Sequence, residues 1–221
     1  MALPKEPRQK MINIMYLVLT ALLAINISAE ILNAFKTITA SLEKTNSTVK
    51  ASTDQIFSSL TEKMTQDATR EKASIWQPKA KQVMDYSNTA YTFIENLKKE
   101  LIKEAGGNPS DPTSKFKEDD QNMVTRVMIK QGKGKELYKV LQDYINNVLK
   151  DTAISQEFKN SLPISLERSK SQNSNKKNWE EDNFYMAPTV GALSILTKFQ
   201  NDIKNTENKV VTYCHEQVGK V

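Results

Sequence analysis

Nineteen consecutive residues, Met11 to Ala29, carry no charged side chain: MINIMYLVLTALLAINISA lies between Lys10 and Glu30. A helix on the surface of a soluble domain keeps a polar stripe, but here Leu17, Val18, Leu19, Leu22, Leu23 and Ile25 point around most of the circumference. Such a helix belongs in lipid or deep in protein. As one helix the run would extend about 28 Å, close to the hydrocarbon thickness of a bilayer. A cleavable secretion signal has a shorter apolar centre followed by small residues, and with Ala29 as the last residue Ile27 stands where a small one is wanted. The segment is therefore expected to be retained as a transmembrane helix. Lys5, Arg8 and Lys10 outweigh Glu6 on its amino side, which predicts a cytoplasmic amino terminus and, in a bacterium, a periplasmic bulk. The expected organisation is a tail over 1–10, a single transmembrane helix over 11–29 and a periplasmic domain over 30–221.

Asn13, Tyr16, Thr20 and Ala24 recur at spacings of three and four, which gathers polar and small side chains on one side. Their bland role is bonding to their own helix or to the interface; the alternative is a face that meets other membrane helices. The cost of burying unpaired polar groups favours contact. Arg8 sits one turn before the run, where snorkelling to the headgroups or pairing with a partner's acid are both open. No Asp, Glu, His or Lys lies between Met11 and Ala29, so this helix cannot relay a proton through its own side chains.

With 221 residues the chain is long enough for one large domain or two small ones, and only six Gly and seven Pro point to helices. The 31 basic and 26 acidic residues are interspersed, which argues against a nucleic-acid partner. One Cys and one His exclude an intrachain disulfide and a multi-histidine metal site, and Cys214 and His215, being adjacent, do not share a helix face. QGKGKEL, 131–137, lacks the spacing of a phosphate loop and is expected to be a turn. No catalytic motif or cofactor signature is present, so a non-enzymatic role with no cofactor is expected.

Beyond Glu30 a heptad stripe follows: Ile31, Phe35, Ile38, Leu42, Thr45, Val49, Ser52, Ile56 and Leu60. No Gly or Pro interrupts the chain from there to Gln77, so the membrane helix is expected to continue as a rigid shaft that breaks at or before Pro78. Phe35, Ile38, Leu42, Val49 and Ile56 are the expected shaft or dimer contacts. A second helix is expected over 79–105, buried along Val83, Tyr86, Ala90, Phe93, Leu97 and Leu101 and stopped by Gly106 and Gly107. Shorter helices are expected over 119–130 and 135–151, the latter lined by Leu137, Leu141, Tyr144 and Val148. Residues 163–183 read as a long surface loop, pinned to the core by Trp179, Phe184, Tyr185 and Met186. A last helix over 189–218 carries Leu193, Leu196, Phe199, Ile203, Val210 and Tyr213. The expected fold class is all-α, an up-and-down helical bundle hung from one transmembrane helix.

Two stretches carry a family resemblance. PRQKMINIMYLVLTALLAINISAEILNAF, residues 7 to 35, resembles the amino-terminal signature of the GldM/PorM proteins, and MAPTVGALSILTKFQNDIKNTENKVV, residues 186 to 211, is similar to the end of that family's first periplasmic domain. The resemblance implies the inner-membrane subunit of a motor driven by the proton motive force, which powers type IX protein secretion and gliding motility. It implies a homodimer whose membrane helices sit inside a ring, described as pentameric, of the GldL/PorL membrane protein. It also places Arg8 and Tyr16 at the positions that face the ring, so that Arg8 becomes a coupling residue. Further periplasmic domains, through which the family reaches the outer-membrane secretion ring, have no counterpart in this sequence. The competing readings are a signal-anchored helical sensor or adaptor and a secreted helical binding protein with its signal attached.

Overall fold

The computed structural model describes residues 7–25, 27–150, 154–167 and 178–219, with the side chains of residues 20–25 outside that description. Lys5 and Glu6, the side chains of Thr20 and Ala24, and the middle of the expected 163–183 loop thus lie outside the described residues. Every element of the described chain is helical. The order is α1 (Pro7–Ile25), α2 (Ala29–Glu62), α3 (Arg70–Glu104), α4 (Gln121–Thr125) running into a π-helical turn (Arg126–Lys130), α5 (Lys133–Leu149), α6 (Gln156–Asn160), α7 (Trp179–Phe184) and α8 (Thr189–Gly219).

The expected unbroken shaft is corrected at both ends. Helix α1 stops at Ile25, and Ser28, in an extended conformation, caps α2 by accepting a hydrogen bond from the Ile31 amide at 3.4 Å. The Ser28 side chain takes up that amide and so starts a new helix without Gly or Pro. At the other end the chain turns over Lys63 to Thr69, where the Thr69 hydroxyl donates to the Lys63 carbonyl at 2.8 Å. Pro78 does not break the chain. It lies inside α3, where its ring forgoes one main-chain hydrogen bond.

Helices α2 and α8 are parallel. Thr39 meets Ser194, Asn46 meets Asn201 and Thr53 meets Asn208, each pair separated by 155 residues in sequence. Helix α3 returns antiparallel to α2, joined through Thr61 to Gln77 and Glu43 to Lys98. Helix α5 runs antiparallel to α3, with Ser87 bonded to Tyr144 at 3.0 Å and Lys133 3.7 Å from Glu100. Both α5 and α8 therefore point the same way as α2. The up-and-down topology is corrected accordingly: between α5 and α8 the chain travels back along the bundle. Helix α6 rests at the far end, where Phe158 packs on Tyr213, and α7 at the near end, where Trp179 packs between Tyr138 and Phe199.

The core is one cluster fed by α3, α5 and α8, with Leu60 from the end of α2. The expected inward residues of α5, namely Leu137, Leu141, Tyr144 and Val148, are all buried, as are Val83, Ala90, Leu97 and Leu101 of α3. Only the start of QGKGKEL is the expected turn: Gln131 and Gly132, the latter at φ +82°, lead into α5, which already begins at Lys133. Gly134 then lets α7 approach, since a Cβ there would stand 2.6 Å from the Glu180 Cβ and 2.7 Å from the Met128 carbonyl oxygen. Trp179 and Phe184 anchor the end of the 163–183 segment in the core, within a short helix rather than a loop, whereas Tyr185 and Met186 are exposed.

Candidate membrane-proximal helix and helical seam

Residues 7–19 of α1 are exposed throughout. The large apolar side chains from Met11 to Leu19, and Tyr16 with them, are each 50–71% exposed, an apolar surface with no cover inside the chain's own fold. Arg8 and Asn13 are exposed on the same helix. The 3.6-residue period places Asn13 and Tyr16 on one face, as their spacing predicted. From Met11 to Ile25 the helix holds fifteen residues, roughly 22 Å, short of a hydrocarbon layer of about 30 Å. Among the described residues no helix is long and apolar enough to cross a membrane.

The heptad stripe of α2 divides in two. Phe35, Leu42, Val49 and Ile56 are half-buried, whereas Ile38 is 49% exposed and Ile31 51% exposed, with Thr45 and Ser52 in the same outer phase. The half-buried four alternate with Leu32, Thr39, Asn46, Thr53 and Leu60, giving unbroken spacings of three and four that face the bundle. Ile31, Ile38, Thr45 and Ser52 of the expected stripe lie on the outer surface of the bundle. Polar residues took their place because each has a partner on α8: Thr39 to Ser194 at 3.1 Å, Asn201 to Asn46 at 2.9 Å and Asn208 to Thr53 at 3.0 Å. Ser59 and the Nε2 atom of His215, 3.1 Å apart, extend the series by one heptad. The signal was present in the sequence, as polar residues seven apart at 39, 46 and 53 and again at 194, 201 and 208.

A second polar band crosses the bundle beside this ladder. The Lys98 ammonium, almost fully buried, lies 3.0 Å from Glu43 and 3.7 Å from Glu95, and donates to Gln200 at 3.3 Å. Gln200 in turn donates to Glu95 at 3.0 Å. One turn further along α8, Lys204 pairs with Glu207 at 3.1 Å and lies 5.2 Å over the Tyr91 ring. Burial holds the Glu207 carboxyl above its ordinary range, with Lys204 opposing that shift. Burial likewise raises the Tyr144 phenol, whose hydroxyl donates to the Ile203 carbonyl at 3.3 Å. Lys98–Glu43 and Gln200–Glu95 link separate helices, whereas Lys204–Glu207 is a pair within α8. Cys214 is buried and His215 serves the seam, so that motif resolves into two packing roles. Among the described residues no cluster of His, Cys, Asp and Glu is arranged to hold a metal ion.

A bundle stapled by polar layers and preceded by an apolar helix exposed over residues 7–19 defines a class by its architecture: an all-helical bundle domain. The chain belongs to the GldM family, whose N-terminal domain matches residues 30–217. That family supplies membrane-anchored structural or motor components of type IX secretion and gliding motility. The match runs from the first turn of α2 into the last turns of α8. No curated protein matches the chain.

Proposed function

We propose that the chain is a non-enzymatic motor subunit of the bacterial inner membrane, in which α1 crosses the bilayer with its amino end in the cytoplasm and the bundle stands in the periplasm. The observation that carries this reading is the exposed apolar surface of α1 from Met11 to Leu19, shortly before the first helix of a GldM domain. The missing length is within reach of the flanks. Residues 26–28, if extended, add up to about 11 Å, and Lys10 snorkels toward the cytoplasmic headgroups.

In this reading Arg8 faces an acid on a GldL/PorL-like ring and changes contact as that acid takes up and loses a proton, while Asn13, Tyr16 and Thr20 line the same contact. A transmembrane potential supplies about 2.3 kcal/mol per charge per 100 mV, enough to bias each step. The outer phase of α2, with Ile31, Ile38, Thr45 and Ser52 exposed, supports a homodimer through two α2 helices side by side. The α2–α8 seam then serves as the torque-bearing stem. Arg8→Ala is expected to abolish secretion and gliding in cells while leaving the amount of chain in the membrane fraction unchanged. Undiminished output from that variant would remove the coupling role.

The alternative is a signal-anchored periplasmic sensor or adaptor. It would show as normal secretion and gliding from the same variant.

A further inference from the structure

Outside α1, the large apolar side chains most exposed among the described residues are Ile31, Ile38, Ile75, Tyr185 and Met186. All but Ile75 lie toward the end of the bundle that carries α1. The axial position of Tyr185 and Met186 follows from several contacts. The Val190 amide donates to the Glu118 carbonyl, Lys36 pairs with Glu118 at 3.0 Å, and the Ser194 hydroxyl donates to the Phe35 carbonyl at 3.2 Å. By the same offset Thr189, the first residue of α8, stands level with Ala34 in the second turn of α2, and Tyr185 and Met186 precede it in the chain by three to four residues.

This pair is held outward by its surroundings. Phe184 on one side and Pro188 and Thr189 on the other are buried, while Tyr185 is 54% and Met186 40% exposed. Met186 adopts φ +56°, a conformation rare for a side chain of its size, and its amide donates to the Thr125 hydroxyl at 3.0 Å. Charges at this end are mixed and paired, Lys36 with Glu118 and Arg126 with Glu104, so electrostatic attraction to lipid is not what the surface offers. It offers a rigid amphipathic knuckle.

Resting on the reading that α1 crosses the bilayer, we propose that Tyr185 and Met186 dip into the headgroup layer of the membrane and seat the bundle on it. The three residues between α1 and α2 reach at most about 11 Å, which keeps this end of the bundle close to the membrane surface. The headgroup layer is itself about 5–7 Å deep on each side, the zone in which tyrosine is enriched. A knuckle at this height that sits in lipid limits tilt of the bundle about the α1–α2 joint.

The test places an environment-sensitive fluorophore on the full chain by Met186→Cys, Ala68→Cys at the opposite end of the bundle, or Leu19→Cys on α1. Cys214 is buried and left in place. The chain is reconstituted in vesicles of equal parts phosphatidylethanolamine and phosphatidylglycerol carrying nitroxide at the headgroup or in the acyl chain. Position 186 is expected to lose roughly half of its emission to the headgroup nitroxide, as a residue at the aromatic-belt level would, with position 68 unaffected. Quenching of Leu19→Cys by the acyl-chain nitroxide reports separately on α1. If Leu19→Cys is quenched and position 186 is not, the seating is overturned while the spanning helix stands. Equal quenching at 68 and 186 overturns it too, because the bundle would then lie flat. Absence of quenching at Leu19→Cys removes the spanning helix and the seating together. Protection of position 186 from aqueous iodide without lipid quenching would assign the knuckle to a protein partner instead.

Discussion

Glu207 lies seven residues along α8 from Gln200, the partner of buried Lys98, and its burial sets an acid-range pH dependence. Desolvation raises its pKa above 4.5, so between 4.5 and the raised value the folded chain holds more protons than the unfolded one, and stability falls as pH rises through that window. Asp202, raised by burial from 3.8, acts in the same direction. His215 has the opposite sign: burial and Lys63 lower its pKa, and the stability it contributes is lost as pH falls below 6.5. Glu207→Gln removes one component alone, so from pH 4.5 to neutrality its melting temperature is expected to drop less, or rise more, than that of the parent chain. Equal slopes would show that Lys204 fully offsets the burial of Glu207. At Gly134 the constraint is space. Gly134→Ala drives a Cβ into Glu180 and the Met128 carbonyl and is expected to cost about 1–3 kcal/mol in urea unfolding, by overpacking the α5–α7 contact. The residue pattern announced a turn at 131–137; it did not announce Gly134 as the close approach, because Glu180 is distant in sequence.

At the scale of elements, the α2–α8 seam is governed by pairs that succeed together and fail singly. Asn46→Leu is expected to cost roughly 1–3 kcal/mol by leaving polar groups of the seam without a partner, and Asn201→Leu in addition should recover much of it. A double-mutant cycle by urea denaturation measures the coupling, and additive losses would mean that the ladder is incidental. The helix types and most core faces were legible from periodicity. The phase of α2 was not, since two stripes with spacings of three and four run along it and the greasier one includes Ile31 and Ile38. What selects the other is the partner ladder on α8, a tertiary fact that decides which polar residues can be buried. The boundaries at Ser28 and Thr69 were missed for a related reason: side-chain hydroxyls terminate helices there, with no Gly or Pro to mark the place. Pro78 was misread as an end because α3 tolerates the loss of one hydrogen bond while packing Ala73 and Ala80 on either side of it.

For the whole molecule, the resemblance carried by residues 7–35 and 186–211 anticipated the GldM domain that matches residues 30–217. The return of the chain between α5 and α8 was not legible, because helix lengths do not encode direction when the connection is long enough to run back along the bundle. It is this return that makes the first and last long helices parallel and binds them into one stem. The proposed function rests on α1 being lodged across the bilayer. The most direct test uses Gln9→Cys and Ala68→Cys in cells, each probed with a membrane-impermeant maleimide before and after the inner membrane is opened. Labelling of position 68 once the periplasm is accessible, with position 9 labelled only after the inner membrane is breached, is the expected result. Labelling of both positions from the same side, or recovery of the chain with the soluble fraction, would contradict it.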